Sequence, residues 1–74
     1  MLNNLRALRE DRDLKQKDMA VILNIHQTTY SDYELGQLNI PIPILKQLAV
    51  FFHTSVDYLL DMTDDPTPYP KNNG

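Results

Sequence analysis

Hydrophobic residues recur at helical spacing near the start of the chain. Three leucines stand three residues apart with arginines beside them: Leu2, Leu5 and Leu8. This pattern predicts an amphipathic first helix over about residues 2–11, because positions three or four apart lie on one helix face. We expect Asp13 to end this helix, since Asp adopts the left-handed backbone conformation more readily than most residues.

The next two helices are predicted to be short and to meet through a tight turn. The second has its apolar positions at Met19, Ala20 and Leu23, and Asn24 is expected to end it in a left-handed conformation. The third is predicted over residues 27–35, and Gly36 is expected to close it. The two sides of this third helix differ. Its inner side carries Tyr30, Tyr33 and Glu34, and its outer side carries Gln27, Thr28, Ser31 and Asp32.

Two more helices are predicted after the proline-containing stretch QLNIPIP. Pro43 suits the first position of the fourth helix, because proline has no N–H to lose there. The apolar stripe of this helix comprises Leu45, Leu48, Ala49 and Phe52. Ser55 is a favourable N-cap for the fifth helix. The sequence therefore predicts an all-α domain of five helices over residues 1–62, followed by an extended or disordered tail over residues 63–74.

Composition argues against an enzyme, a cofactor, a small-molecule ligand and a metal. The chain has 74 residues, no Cys and two His, which excludes disulfides and thiolate chemistry. His26 and His53 fall at predicted helix boundaries without a nucleophile or metal-ligand spacing nearby. The acidic residues Asp61, Asp64 and Asp65 lack the glycine and the distal Glu of a calcium loop. We expect them to form a solvated acidic end.

The charge balance at first disfavours a nucleic-acid partner, since the formal net charge is −3. However, five of the seven basic residues lie between positions 6 and 17, so the chain is electrically lopsided. No apolar run exceeds the five residues of 48–52, which is far too short to cross a membrane, and the start of the chain has no apolar signal core. We therefore expect a cytoplasmic protein without a membrane partner.

The segment QKDMAVILNIHQTTYSDYELG, residues 16–36, resembles the helix-turn-helix of Xre/Cro-type regulators, the family of phage repressors. That family has a Gln opening the first motif helix, a small residue four positions later, a turn residue that is usually Gly, and a buried apolar or aromatic residue six positions past the turn. The matching positions here are Gln16, Ala20, Asn24 and Tyr30. The flanking segments are similar to the first helix and the last two helices of the family.

The resemblance implies a compact five-helix bundle of the lambda-repressor-like type and sequence-specific binding of double-stranded DNA. It implies transcription regulation, with repression on an operator as the expected outcome. The third helix would lie in the major groove and read bases with its outer side chains, Gln27, Thr28, Ser31 and Asp32. Gln suits adenine, the Thr methyl group suits thymine, and Asp accepts hydrogen bonds from the amino groups of cytosine or adenine. The alternative is a merely solvated polar helix face.

Other residues are expected to hold the DNA backbone or the fold. Phosphate contacts are assigned to Gln16, Lys15, Lys17 and Arg9. Arg9 and Glu34 match an Arg–Glu pair of the family, which would tie the first helix to the third and direct the guanidinium toward the DNA backbone. The chain has no Lys or Arg just after the motif, so we expect modest affinity per subunit.

We expect a homodimer, because one helix reads too few base pairs to find a site in a genome. The fourth and fifth helices and the preceding loop are the predicted interface. Apolar residues that could form a contact patch are Val21, Ile22, Leu35, Leu38, Ile44 and Phe51, although they could instead complete the core of the monomer. Two rival functions remain open at this point. One is an antitoxin-like module that also grips a regulatory partner protein, and the other is a protein-interaction domain that does not bind DNA.

Overall fold

Residues 1–68 are described by the structure, a computed structural model of the chain, and they form five α-helices without a strand. The helices are α1 (Asn3–Asp11), α2 (Gln16–Leu23), α3 (Gln27–Leu35), α4 (Ile42–Phe51) and α5 (Val56–Leu59). The prediction of an all-α, five-helix fold is confirmed. The part of the predicted tail that covers residues 69–74 lies outside the described residues.

The helix ends follow the local chemistry of the sequence. Asp13 and Asn24 both have φ of 56°, and Gly36 has φ of 74°, so all three adopt the predicted left-handed conformation. The Ser55 hydroxyl accepts a hydrogen bond from the backbone N–H of Tyr58 at 3.0 Å, which confirms the cap of α5. α4 begins one residue earlier than predicted, because Pro43 fits the second helical position as well as the first: neither N–H has a partner in the helix.

Each helix contributes one of the largest fully buried side chains. In chain order these are Leu5, Met19, Tyr30, Leu48 and Leu59. Helices of this length are unstable by themselves in water, so the shared core is what keeps them helical. Truncating any of the buried Leu or Met residues to Ala would remove about 2–5 kcal/mol from the free energy of unfolding.

A carboxylate from the far end of the chain caps α1. The two oxygens of Asp61 accept hydrogen bonds from the backbone N–H groups of Asn3 and Asn4, at 2.8 and 2.9 Å. The Asn4 side chain in turn donates to the carbonyl oxygen of Tyr58 at 2.9 Å. Asp61 is exposed, as expected of a solvated acidic end, but its carboxylate has a structural role that the sequence did not predict. This residue joins the start of α1 to the turn after α5 and satisfies two N–H groups that the helix itself leaves open.

The chain after α5 runs without helix or strand as far as it is described. The Thr54 hydroxyl donates to the carbonyl oxygen of Pro66 at 2.7 Å, which holds residues near 66 against the end of α4. The boundary between a domain over 1–62 and a tail over 63–74 stays a prediction. Over residues 1–68, no helix is long and apolar enough to cross a bilayer.

Asp61→Asn should lower the free energy of unfolding by about 1 kcal/mol, because the amide keeps one of the two accepting oxygens and loses the charge that favours a helix N-terminus. Asn tolerates the left-handed backbone of this position, where φ is 59°. Urea denaturation followed by circular dichroism measures the change. Asp64→Asn is the matched control, since it removes the same charge from an exposed residue. Equal stability of both variants would contradict the capping role.

Candidate nucleic-acid interface

The outward side of α3 gathers the four residues predicted to read bases. Gln27 and Thr28 are exposed, and Ser31 and Asp32 are half-buried. The opposite side of the helix is buried and comprises Tyr30, Tyr33 and Glu34. We call the four outward residues the recognition face. Its members lie on one side of the helix because residues four apart share a side at 3.6 residues per turn.

The turn between α2 and α3 sets the direction of this face. Ala20 is buried where the two helices meet, and its carbonyl oxygen accepts a hydrogen bond from the N–H of Ile25 at 2.9 Å, just after the left-handed Asn24. His26 precedes α3 in an extended conformation and its side chain makes no capping hydrogen bond. The first turn of α3 therefore presents N–H groups without a side-chain acceptor at the end of the recognition face.

Glu34 binds two side chains from other helices at the base of α3. Its oxygens accept hydrogen bonds from Arg9 Nε at 2.6 Å and Arg9 Nη2 at 3.2 Å. Gln16 Nε2 lies 3.3 Å from one of the same oxygens. Arg9 and Glu34 are buried, with 9% and 3% of their surface exposed. We call Arg9, Gln16 and Glu34 the Glu34 cluster; it ties α1 and the start of α2 to α3.

The Arg9 guanidinium is directed into the protein by all three of its nitrogens. Besides its two bonds to Glu34, Nη1 donates to the carbonyl oxygen of Leu14 at 2.8 Å. The predicted pairing of Arg9 with Glu34 is present. A phosphate contact from Arg9 stays a prediction, and we leave it out of the proposed phosphate-binding set because these contacts turn the guanidinium inward.

Burial and charge act in opposite directions on this cluster. Burial by itself would raise the pKa of Glu34, but the hydrogen bonds and charge of Arg9, together with Tyr30 and Gln16 beside the carboxylate, outweigh it and the pKa is lowered. The hydrogen bond to Glu34 raises the pKa of Arg9. Burial raises the pKa of Tyr30, with the nearby Glu34 carboxylate adding to the effect. The Tyr30 hydroxyl makes no hydrogen bond of good geometry, so it adds no directional contact to the carboxylate.

Of the other basic residues in the first half of the chain, the arginines contact other protein groups and the lysines do not form ion pairs within residues 1–68. Arg6 pairs with Glu10 on the surface of α1 at 3.4 Å. Arg12 donates to the carbonyl oxygen of Phe51 at 2.9 Å, and its guanidinium carbon lies 5.1 and 5.0 Å from the ring centres of Phe51 and Phe52. Lys15 and Lys17 are exposed and form no ion pair among residues 1–68.

Several of these contacts were not anticipated from the sequence. The Gln16 amide was expected to face phosphate, and here its nitrogen contacts Glu34 while the residue stays half-buried. Asp18 accepts a hydrogen bond from the Lys15 N–H at 2.8 Å and so caps α2. An acidic residue three positions into a helix is a readable signal for such a cap. Nothing local in the sequence signals the contact between Arg12 and the end of α4.

The predicted apolar patch separates into two kinds of residue. Ile44 and Phe51 pack against the core, as the alternative reading of these residues expected. The other four members are exposed: Val21, Ile22, Leu35 and Leu38. Ile42 and Val50 on α4 are also exposed, at 67% and 81%, although the sequence pattern did not single them out. Within residues 1–68 there is no group of three or more acidic, His or Cys side chains that could hold a metal ion.

Comparison with known proteins assigns this arrangement to a family. The helix-turn-helix family model matches residues 5–59, which include α1 to α5 from Leu5 onward. The chain belongs to the Xre-like helix-turn-helix family. It is also 38% identical over 64 residues to an uncharacterized HTH-type transcriptional regulator, YobD, of Bacillus subtilis strain 168. That match covers 86% of this chain and 57% of the relative, so the chain spans little more than half of that protein. No solved structure matched the chain.

Membership of this family of DNA-binding transcription regulators confirms the resemblance derived from residues 16–36 and the expected lambda-repressor-like architecture. The matched range contains both halves of the motif, α2 and α3, together with the Glu34 cluster.

The lowered pKa of Glu34 makes a testable statement about stability. Because the folded-state pKa lies below the ordinary value of 4.5, the stability that this carboxylate contributes is complete above pH 4.5 and is lost as the pH falls toward the folded-state value. In Glu34→Gln this contribution is missing and Arg9 is left buried without its counter-charge, which should cost about 3–5 kcal/mol.

Urea denaturation of both proteins between pH 7 and pH 3 checks this linkage. The difference in unfolding free energy between wild type and Glu34→Gln should shrink as the pH falls below 4.5. Glu10→Gln serves as a control, because its pair with Arg6 is exposed and worth little. A difference that is constant across this pH range would show that the Glu34 charge does not support the fold.

Proposed function

We propose that this chain binds double-stranded DNA sequence-specifically, with α3 in the major groove, and represses transcription by occupying an operator as a homodimer. One observation carries the proposal: α3 is polar and accessible on one side and anchored on the other by a buried aromatic core and by the Glu34 cluster. The name of the B. subtilis relative, a transcriptional regulator, agrees with it.

The shape of α3 suits the groove. A major groove is about 12 Å wide and admits one α-helix, whose N-terminal outward residues reach the base edges. α3 has nine residues, and its first turn carries the exposed Gln27 and Thr28. Among residues 1–68, neither side chain forms a hydrogen bond or an ion pair with another residue, so both are free to contact bases. We assign base contacts to these two residues first and to Ser31 and Asp32 one turn later.

Phosphate binding depends on few charges. Lys15 and Lys17 flank the start of α2 and are exposed, and Gln16 lies between them with its amide close to Glu34. We propose that the two lysines supply the charge, while Gln16 and the open N–H groups of α3 supply neutral hydrogen bonds. Two lysines neutralise about two phosphates. The affinity of each subunit should therefore depend less on salt concentration than that of DNA-binding proteins with more phosphate contacts.

The exposed side of α4 supports a second copy of the chain as the dimer partner. A groove of about 670 Å³ is lined by the second half of α4, the loop that follows it, the start of α5 and Pro68, with Ala49, Val50, Val56 and Pro68 as its apolar members. Val50 is 81% exposed and lies two turns from the exposed Ile42 on the same side of α4. We propose that these residues are buried at a two-fold axis; to occupy neighbouring half-sites, the resulting dimer must place its two recognition faces about 34 Å apart.

The salt dependence of binding tests the phosphate assignment. The slope of log affinity against log salt should be about −2 per subunit in wild type and about −1 in Lys17→Ala, for specific and random duplexes alike. Fluorescence anisotropy with labelled duplexes measures both slopes. Arg6→Ala, which removes a cation that pairs with Glu10 on the surface of α1, is the control and should keep the wild-type slope. Affinity that does not change with salt would argue against DNA binding.

Base reading is tested by discrimination rather than by affinity alone. Gln27→Ala and Thr28→Ala should each lower the ratio of specific to random binding by about tenfold, since one good base contact is worth about 1–3 kcal/mol. The specific duplex is obtained by selection from a random pool with the wild-type protein. Lys17→Ala should leave the ratio unchanged. Equal losses on both duplexes would assign Gln27 and Thr28 to the scaffold.

The dimer proposal is tested with two valines of equal exposure. Val50→Lys should shift the sedimenting species from dimer toward monomer, because a charge in the proposed interface must be desolvated on association. Val21→Lys makes the same change at a member of the sequence-predicted patch that is 80% exposed on α2 rather than on α4, and it should leave the dimer intact. Analytical ultracentrifugation at several concentrations measures the shift. An equal effect of both substitutions would exclude α4 as the interface.

A further inference from the structure

The recognition helix carries no cation. α3 has the sequence QTTYSDYEL, and the chain has no Lys or Arg from residue 18 to residue 45. The commonest specific contact in protein–DNA complexes joins Arg or Lys to the O6 and N7 acceptors of guanine. α3 therefore lacks the residue types that read guanine most often.

One member of the recognition face is negatively charged instead. Asp32 is half-buried on the outward side of α3, and within residues 1–68 its carboxylate forms no ion pair and no hydrogen bond. Its neighbours one turn away are Thr28 and Leu35, which are uncharged. In contrast, the buried carboxylate of Glu34, two residues later, has Arg9 and Gln16 as donors.

An unpaired carboxylate in the major groove tolerates few base edges. At neutral pH Asp only accepts hydrogen bonds. Cytosine N4 and adenine N6 present amino donors, whereas guanine N7 and O6 and thymine O4 present acceptors that repel a carboxylate. Phosphates on both walls of the groove add further negative charge, so an amino donor is required to offset the loss of hydration.

We propose that Asp32 is a specificity-determining residue that requires an amino-bearing base, cytosine or adenine, at the position it faces and excludes guanine and thymine there. The inference rests on the proposed insertion of α3 into the major groove. It adds to that proposal a residue that selects by repulsion, beside the attractive contacts of Gln27 and Thr28.

The test is selection from a pool of random duplexes with three proteins: wild type, Asp32→Asn and Asp11→Asn. The Asn amide both donates and accepts, so it accommodates bases that the carboxylate rejects. Asp11→Asn is the matched control, because it removes the same charge from an exposed residue at the end of α1. Circular dichroism verifies that each variant is folded. If Asp32→Asn does not fold, Asp32→Ser takes its place.

Wild type should select cytosine or adenine at one position of each half-site. Asp32→Asn should also accept guanine and thymine, at that position alone, so its preference for cytosine or adenine there should be about tenfold weaker. Asp11→Asn should select the same sequences as wild type. The same result is expected from titrations of the selected duplex carrying cytosine or thymine at this position, where wild type distinguishes the two and Asp32→Asn does not.

Unchanged base preferences in Asp32→Asn would overturn the inference while leaving DNA binding by α3 intact. If wild type enriches no sequence at all, the proposed function fails and the role of Asp32 fails with it. The behaviour of the wild-type protein in the selection therefore separates the two failures.

Discussion

The ion pair between Arg9 and Glu34 is the constraint on which the position of α3 depends. A buried carboxylate is costly unless charged and neutral donors surround it, and Glu34 receives such donors from α1 and from the start of α2. Hydrophobic contacts alone are not directional and would let short helices slide or rotate against each other. The bidentate geometry of Arg9 fixes a distance and an orientation, so the recognition face points outward in one defined way.

The start of α1 receives contacts from α3 and from the turn after α5. Its start is held by Asp61 from the turn after α5, and the N–H of Leu2 donates to the carbonyl oxygen of Glu34 at 2.7 Å. One helix therefore connects the DNA-facing motif with the helices proposed to form the dimer. Because these links are short polar contacts at helix ends, they add orientation where a core of this size supplies little rigidity.

The sequence predicted the features that depend on local residue spacing, which are the helices and their ends. It did not predict side-chain contacts between residues far apart in the chain. The helices follow from apolar periodicity, and the left-handed ends at Asp13, Asn24 and Gly36 follow from residue type. The outward side of α3 also follows from periodicity, since the buried positions fix the opposite side. By contrast, Asp61 binds residues that precede it by 57 and 58 positions, and Arg12 binds a residue that follows it by 39 positions. No local pattern encodes such distant partners. The Arg9–Glu34 pair was accessible only through the family resemblance.

The use of arginine explains how an acidic chain can serve a DNA-binding fold. Arg9 is bound by Glu34, Arg12 donates to the end of α4, and Arg6 pairs with Glu10 on the surface, so each of these arginines already has a partner within the protein. Under the proposed function, the two exposed lysines near α2 would carry the electrostatic part of DNA binding. Because non-specific affinity comes almost entirely from such charges, a small set of them keeps binding to random DNA weak. Discrimination would then depend on the recognition face, where we propose that the carboxylate of Asp32 restricts which bases are accepted.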